Sequence, residues 1–582
     1  MTVRAPLTIR TALSALVLTW VGAVADPLPA APPVPPEPSS AGTLSAPGVT
    51  TAAARIDRLI KDHLARYGVP VAPAIDDSGL VRRAYLDIAG RIPTADEASD
   101  FLDDTSPDKR TRLVDRLLDG PGYRNRMFLW FADLFRLRTK LAKRTSGEPF
   151  SHWLKQCVAD DVPYDAMVHA MLTATGPAHA EGSGDTGYLL RDRGMPEDSM
   201  SNTARLFLGM RIECAQCHDH PFADWSQKQY YEMVAFTGGM DYEIDFGSVD
   251  HGPRLLELRA QVKQSLGKPG NKAFDRMLRP LGTGIQGTGT AAVRLPDDYR
   301  SEAGGASGDW VHARTLFGDE VGPEPEFPQP APRKAKRPRK KRKTPPPLEV
   351  GSRDAFADWT VSPDHPTFTR VIANRMWKRV MGRGLIEPVD DLAADLDPIH
   401  PELLDELEAL MRELGYDLRA FQRVLHHTDA WQRRSASTDL TWDDPAAVAA
   451  PPLHRMQAEQ LWDSLLTLVL PDVDGALAPP RDAYATRVYE SYEELASAPD
   501  AELLEETRFR SLKYSDTTAY KAEQARRKQD RRVDRNADKR ARKPLERDLK
   551  RATRRHDTDA MDALQAELDT FTADDALRPV TG

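Results

Sequence analysis

The chain has 582 residues, enough for two to four domains with real cores, and 40% apolar with 29% charged residues is the make-up of an ordinary soluble globular protein. Three cysteines allow at most one bridge within the chain, which excludes a disulfide framework. The net charge of −9 hides segregation: Arg333 to Lys343 holds nine basic residues, Lys521 to Arg555 holds 16 basic against 6 acidic, and the remainder is acidic.

Arg4 and Arg10 precede the apolar run Thr11 to Gly22, and Ala23-Val24-Ala25 follows with small residues in a cleavage pattern. Residues 1–25 therefore read as a secretory signal peptide, the run being short for a bilayer span. No later segment approaches a membrane helix, so the mature protein is expected to be exported, periplasmic or secreted. Residues 26–51 read as a Pro/Ala-rich disordered linker, with order beginning near Ala54.

Short amphipathic helices follow. Thr94 with Glu97 predicts a capping box, and Ser106-Pro107 predicts an N-cap with proline in the first turn. Leu113, Val114, Leu117 and Leu118 repeat at helical spacing before Gly120, and Met127 to Leu137 reads as a buried helix. Helical pattern resumes over Asn202 to Gly209, and Ser226 predicts a cap for a helix running to Phe236. Tyr230, Met233, Val234 and Thr237 share one face of it.

Residues 240–322 are irregular and can hold some β structure. The run Gly282 to Gly289 lacks the GK[ST] of a phosphate loop and reads as a flexible loop or hairpin. Residues 323–350 form a basic Pro-rich linker expected to be disordered. Helices are predicted over Pro366–Gly382, Pro401–Leu414, Leu418–Trp431 and Leu453–Leu470. From 481 onward the pattern is a charged helical arm, with Leu545, Leu549, Leu564 and Leu568 too sparse for a sustained heptad. The expected fold is mainly α: helical domains at 52–239 and 351–480, joined by the irregular region and the linker.

Between the two helical patterns of the first domain stands Cys214-Ala215-Gln216-Cys217-His218, followed by Asp219-His220-Pro221-Phe222. Two cysteines three apart with histidine directly after them is the attachment pattern of haem c, in which Cys214 and Cys217 form thioethers and His218 is the proximal iron ligand. A Cys214–Cys217 disulfide, a zinc site and a thiol redox pair use the same letters. Zinc ranks lower, because no second CxxC or HxxxH completes four ligands. Met210, Met233 and Met240 are the sixth-ligand candidates, each also a natural core filler. His220 is too close in sequence to His218 to reach the opposite face of one ring.

Other constellations carry less. His400, His426, His427 and His454 show no metal spacing, and Asp390-Asp391 reads as a solvated or capping pair. No GxSxG, HExxH or Walker motif is present, so a hydrolase finds no nucleophile and base. A redox partner is expected for a haem protein, and acidic polysaccharide or envelope polymer for Arg333–Lys343 and Lys521–Arg555. Export makes nucleic acid a poor partner.

The stretches VRRAYLDIAGRIPTADEASDFL, LVDRLLDGPGYRNR and ARLFLGMRIECAQCHDHPFADWSQKQYYEMVAF resemble the planctomycete cytochrome-c-like domain, a family of unknown function. ADWTVSPDHPTFTRVIANRMWKRVMGRGLIEPVDDL, GYDLRAFQRVLHHTDAWQRRS and HRMQAEQLWDSLL resemble the planctomycete-type domain that commonly follows it. The resemblance implies a covalent haem on Cys214, Cys217 and His218. Asp219, His220 and Pro221 match the motif without an assigned task. No separate small cytochrome domain with its own CxxCH is present, so a multi-haem relay is not implied.

Overall fold

Amphipathic helices supply nearly all the regular structure of the computed structural model, which describes residues 46–321, 352–477 and 483–555 apart from 142–144, 193, 245–250, 288–291, 393–396, 436–439, 442–443 and 471, together with 560, 561, 563 and 564. The expected signal peptide, the linker 323–350 with Arg333 to Lys343, and Leu568 lie outside the described residues.

The first segment runs α1 Ala46–Arg66, α2 Asp77–Ala84, α3 Ala95–Asp103, α4 Lys109–Asp119, α5 Pro121–Leu134, α6 Glu148–Ala159 and α7 Tyr164–Thr173, then β1 Gly176–Pro177, α8 Gly187–Leu190, α9 Pro196–Thr203 and α10 Gln227–Val234. Ile56, Ile60 and Leu64 of α1 recur every four residues and are fully buried, so one stripe of the helix enters the core. The capping box forms as expected: Thr94 Oγ1 accepts from the Glu97 N–H at 3.1 Å, and Glu97 returns a carboxylate oxygen to the Thr94 N–H at 2.8 Å. Ser106 caps nothing; α4 starts at Lys109 behind Asp108, whose side chain makes no capping bond.

After β2 Asp241–Glu243 comes α11, Gly252–Leu278, where the sequence predicts irregular chain. Strands β3 Thr283–Gln286, β4 Ala292–Arg294 and β5 Trp310–His312 follow. β3 lies between β1 and β2, antiparallel to both, and β4 pairs with β5. The glycine run after Leu281 thus supplies the central strand of a small sheet.

The second segment holds α12 Ser352–Val361, α13 Phe368–Met381, α14 Pro401–Glu413, α15 Leu418–His426, α16 Ala458–Thr467 and α17 Val473–Leu477, then α18 Ala483–Ser497, α19 Asp500–Ser515 and α20 Thr517–Arg555. It shares one hydrophobic core with the first segment, which takes in Phe207 and Tyr164 from the first and Phe368, Trp377 and Trp431 from the second, with the Tyr164 ring stacked on Phe368 at 5.7 Å. Polar groups stitch the same boundary. Arg375, buried on α13, donates through Nη1 to the Leu206 carbonyl and through Nη2 to Arg205 O at 3.0 Å. Asp57 of α1 accepts the backbone N–H groups of Asp429 and Ala430 at 2.7 and 3.0 Å. Arg91 pairs with Glu97 and with Asp474 of α17. Each contact satisfies a buried charge or amide that would otherwise be costly.

A second core joins α11 to the C-terminal helices: Leu255, Leu258, Val262, Phe274 and Met277 pack with Tyr492, Ala496 and Leu503. The start of the predicted arm is therefore docked structure, with Arg254 donating to Ala498 O at 2.9 Å and Asp500 Oδ1 at 2.8 Å. Among the described residues of the predicted arm, α20 alone has the mostly exposed, charged surface expected of one.

Candidate functional site

The turn that carries the cysteines is positioned by what precedes it. α9 passes into a wider π turn over Ala204–Leu208, and Gly209 ends it at φ +65°. A side chain at Gly209 would lie 2.7 Å from Val371 Cγ2, so the second segment packs directly on this bend. A 3₁₀ turn, Glu213–Gln216, follows and holds Cys214, with Cys217 at its end. Residues three apart eclipse in a 3₁₀ turn, which sets both thiols on one side. Ala215 between them is fully buried, whereas Cys214, Cys217 and His218 are exposed. Both cysteines are free, as is the buried Cys157, whose thiol burial pushes far up and leaves inert.

His218 is held in one tautomer. Its Nδ1 lies 2.7 Å from the Asp219 carbonyl oxygen. A carbonyl can only accept, so Nδ1 carries a proton, and in the neutral ring Nε2 keeps its lone pair, the arrangement of a metal-ligating histidine. His220 is the reverse: its Nδ1 accepts the backbone N–H groups of Phe222 and Ala223 at 3.2 and 2.9 Å, while its backbone N–H donates to Trp225 O at 2.7 Å. That imidazole closes the loop behind the motif. Phe222 beside it is 94% exposed, a large apolar ring standing in solvent.

Asp219 fastens the turn to α10. One carboxylate oxygen takes the Gln227 N–H at 2.7 Å and the other the Glu302 N–H at 3.0 Å. Partial burial pushes this carboxyl up, but these bonds and the Ser301 hydroxyl outweigh it and hold the group below its ordinary range. The fully buried Gln227 donates to Gln216 O at 3.0 Å and accepts the Arg300 N–H at 2.7 Å. The Tyr231 hydroxyl donates to the same Gln216 carbonyl at 3.3 Å, and burial raises its pKa to about 12. Gln227 and residues 300–302 escape sequence reasoning, because their link to the motif is made only by folding; the Ser226 capping box, which sets Gln227 at the head of α10, is the one local signal.

The structure gathers Cys214, Cys217, His218, Asp219 and His220 on one loop. Met210, Met233 and Met240 are buried in the main core, Met240 with its sulfur 3.5 Å from Arg353 Nη1. Tyr230, Met233, Val234 and Thr237 likewise face the core. Asp390 is ion-paired with Arg211 at 2.5 Å, as a structural carboxylate. Among the described residues no three His, Cys, Asp or Glu side chains converge as a metal-ligating group. Two outward thiols not joined to each other and an imidazole with a free Nε2 are the donor set that fits a covalent haem.

No described helix is long and apolar enough to cross a membrane. Residues 55–242 match the family model PSCyt2, described as a protein of unknown function (DUF1549), and residues 352–574 match PSD1, described as a protein of unknown function (DUF1553). No curated protein and no solved structure matches. The order of the two matches is that of the resemblance read from the sequence, whereas the second match runs on to residue 574 and takes in the charged C-terminal helices that the sequence pattern sets apart as an arm; the chain thus belongs to the planctomycete cytochrome-like proteins of unknown function in which PSCyt2 is followed by PSD1.

Proposed function

We propose that the protein is an exported haem c carrier with a redox role, in which Cys214 and Cys217 anchor the porphyrin and His218 is the proximal ligand. The observation that carries this reading is the Nδ1–H bond from His218 to the Asp219 carbonyl beside two free, outward thiols. When bound, the haem supplies one-electron chemistry at iron. The chain's own part is to fix the imidazole, to hold the turn rigid through Asp219 and Gln227, and to offer Phe222 as apolar cover. The three candidate methionines are buried in the core, so none of them is proposed as a further ligand of the group.

The test is expression with a haem c attachment system, followed by intact mass and reduced-minus-oxidised absorbance. One added haem per chain, lost in Cys214→Ala/Cys217→Ala, is expected; wild-type protein with neither added mass nor a haem band ends the proposal. The N-terminal sequence of exported protein should begin just after Ala25.

A second reading rests on α20, whose exposed basic side chains suit an acidic polysaccharide or envelope polymer. Part of that charge is already answered within the chain, since Arg527 pairs with Glu506 and Glu523. Salt-sensitive polymer binding lost on deleting 517–582 supports it, and binding unchanged by the deletion removes it.

A further inference from the structure

Residues 252–281 lie outside both family matches, and neither reading above uses their cations. Gly267, at φ +61° and ψ −150°, breaks α11 in a conformation suited to glycine, and Pro269 follows as the helix restarts. The chain doubles back there, so that Arg259 before the break grips Asp275 after it through Nε–Oδ1 at 2.6 Å and Nη2–Oδ2 at 3.0 Å. Phe274, Met277 and Leu278 anchor the returning arm in the second core, which fixes the bend.

At the bend opens a cavity of about 520 Å³ lined by Lys263, Lys268, Lys272, Arg276 and Arg279, with Asp275 as its one acid. The last four cations recur at i, i+4, i+8 and i+11, which places them on one helical face where they repel one another. Asp275 gives them little relief, being taken up by Arg259 and by Asn271 Nδ2 at 2.9 Å. Lys272 sits 4.5 Å over the Tyr514 ring of α19, and Arg276 Nη1 reaches the Tyr514 hydroxyl at 3.4 Å. All five cations are exposed, and none forms an ion pair among the described residues. A merely solvated face has no need of a fixed concave bend that concentrates one sign of charge.

We propose that this cavity binds a compact oligoanion carrying several phosphate or sulfate groups. Its volume is within the roughly 300–1,000 Å³ of small-ligand sites. Lysine dominates the lining, and an ammonium is a point charge without a fixed fork, so recognition is by charge density more than by shape. A single carboxylate leaves most of the lining uncompensated.

The experiment is isothermal titration of the full chain with tripolyphosphate and, separately, with a heparin-type sulfated tetrasaccharide. Saturable one-to-one binding is expected, weakening by about tenfold or more between 50 and 200 mM salt. Lys268→Glu/Lys272→Glu should weaken it by about tenfold or more at an unchanged melting temperature, and Lys539→Glu/Arg540→Glu on α20 should leave it as in wild type. Lys263→Ala/Arg279→Ala, which leaves Lys268 and Lys272 in place, should weaken it in the same direction and keeps the test valid if the first variant misfolds. Tighter tripolyphosphate binding assigns a phosphate source and tighter tetrasaccharide binding a sulfated polymer, and either supports the proposal. Lack of saturable binding to both probes, or equal binding by wild type and the cavity variants, overturns it.

Discussion

Asp219 Oδ1 lies 2.7 Å from the backbone nitrogen of Gln227, and this bond joins the loop that displays the thiols to the first turn of the helix behind it. With the second oxygen on the Glu302 N–H, the carboxylate bridges two parts of the chain 83 residues apart. Asp219→Ala should leave the part-buried Gln227 amide and the exposed Glu302 amide without this acceptor, at a cost of about 1–3 kcal/mol confined to the loop. Faster hydrogen exchange over residues 213–227, with α1 and α13 unchanged, is the expected result; unaltered exchange there would show the bond to be dispensable.

The two histidines should separate cleanly. His218→Ala removes the proximal nitrogen while leaving both thioethers possible, so on the haem reading the attached mass persists and the absorption spectrum changes. His220→Ala deletes the acceptor for two loop N–H groups and should cost about 1 kcal/mol with the spectrum preserved. Identical spectra for the two variants would contradict the assignment.

Arg91 is 7% exposed and divides its guanidinium between Glu97 and Asp474. Burial pushes Glu97 up, yet the Arg91 bonds and the Thr94 N–H outweigh it and hold the carboxyl below its usual range. A depressed carboxyl stabilises the fold above its unfolded pKa, roughly 4.3, and that contribution is lost as pH falls through the lower folded value. Melting temperature should therefore drop between about pH 5 and 3, and Glu97→Gln should flatten that part of the profile. Arg91→Leu strands two carboxylates and should cost about 3–5 kcal/mol at neutral pH, read by chemical denaturation.

Gly209→Ala tests the bend before the motif. A Cβ there would sit 2.7 Å from Val371 Cγ2 and 2.9 Å from Leu392 Cγ, on a backbone at φ +65°. The substitution should cost about 2–3 kcal/mol by strain and overpacking. A melting temperature equal to wild type would mean that the bend relaxes freely.

Phe274→Ala should cost about 3–5 kcal/mol by leaving a cavity in the second core. The damage should be local: earlier proteolysis within 252–281 and 483–515, with the main core protected. Simultaneous loss of both cores would instead mark them as one cooperative unit.

Local signals carried much of the fold. The capping boxes at Thr94 and Ser226, the apolar spacing of α4 and the stop at Gly382 depend on residues a few positions apart and can be read directly. α11 could not, because Gly267, Lys268, Pro269 and Gly270 look like a loop, and only the apolar partners on α18 and α19, more than 200 residues away, make two helical arms of it. Ser106 was outcompeted for a similar reason: Lys109 is drawn to Asp77 of α2 at 2.7 Å, which suits a helix that starts later. At the site, the letters CxxCH were legible, but the tautomer of His218, the burial of Met210, Met233 and Met240, and the support from Gln227 exist only in the folded chain.

The grip of Arg375 on the carbonyls of Arg205 and Leu206 has a consequence for biosynthesis. The ribosome makes Cys214 and Cys217 about 160 residues before it reaches position 375. Until that guanidinium arrives, the wide turn at Ala204–Leu208 lacks its clasp, and the part of the core completed by Phe368 and Trp377 stays open. The bend that leads into the thiol-bearing loop is thereby completed only by chain made after it.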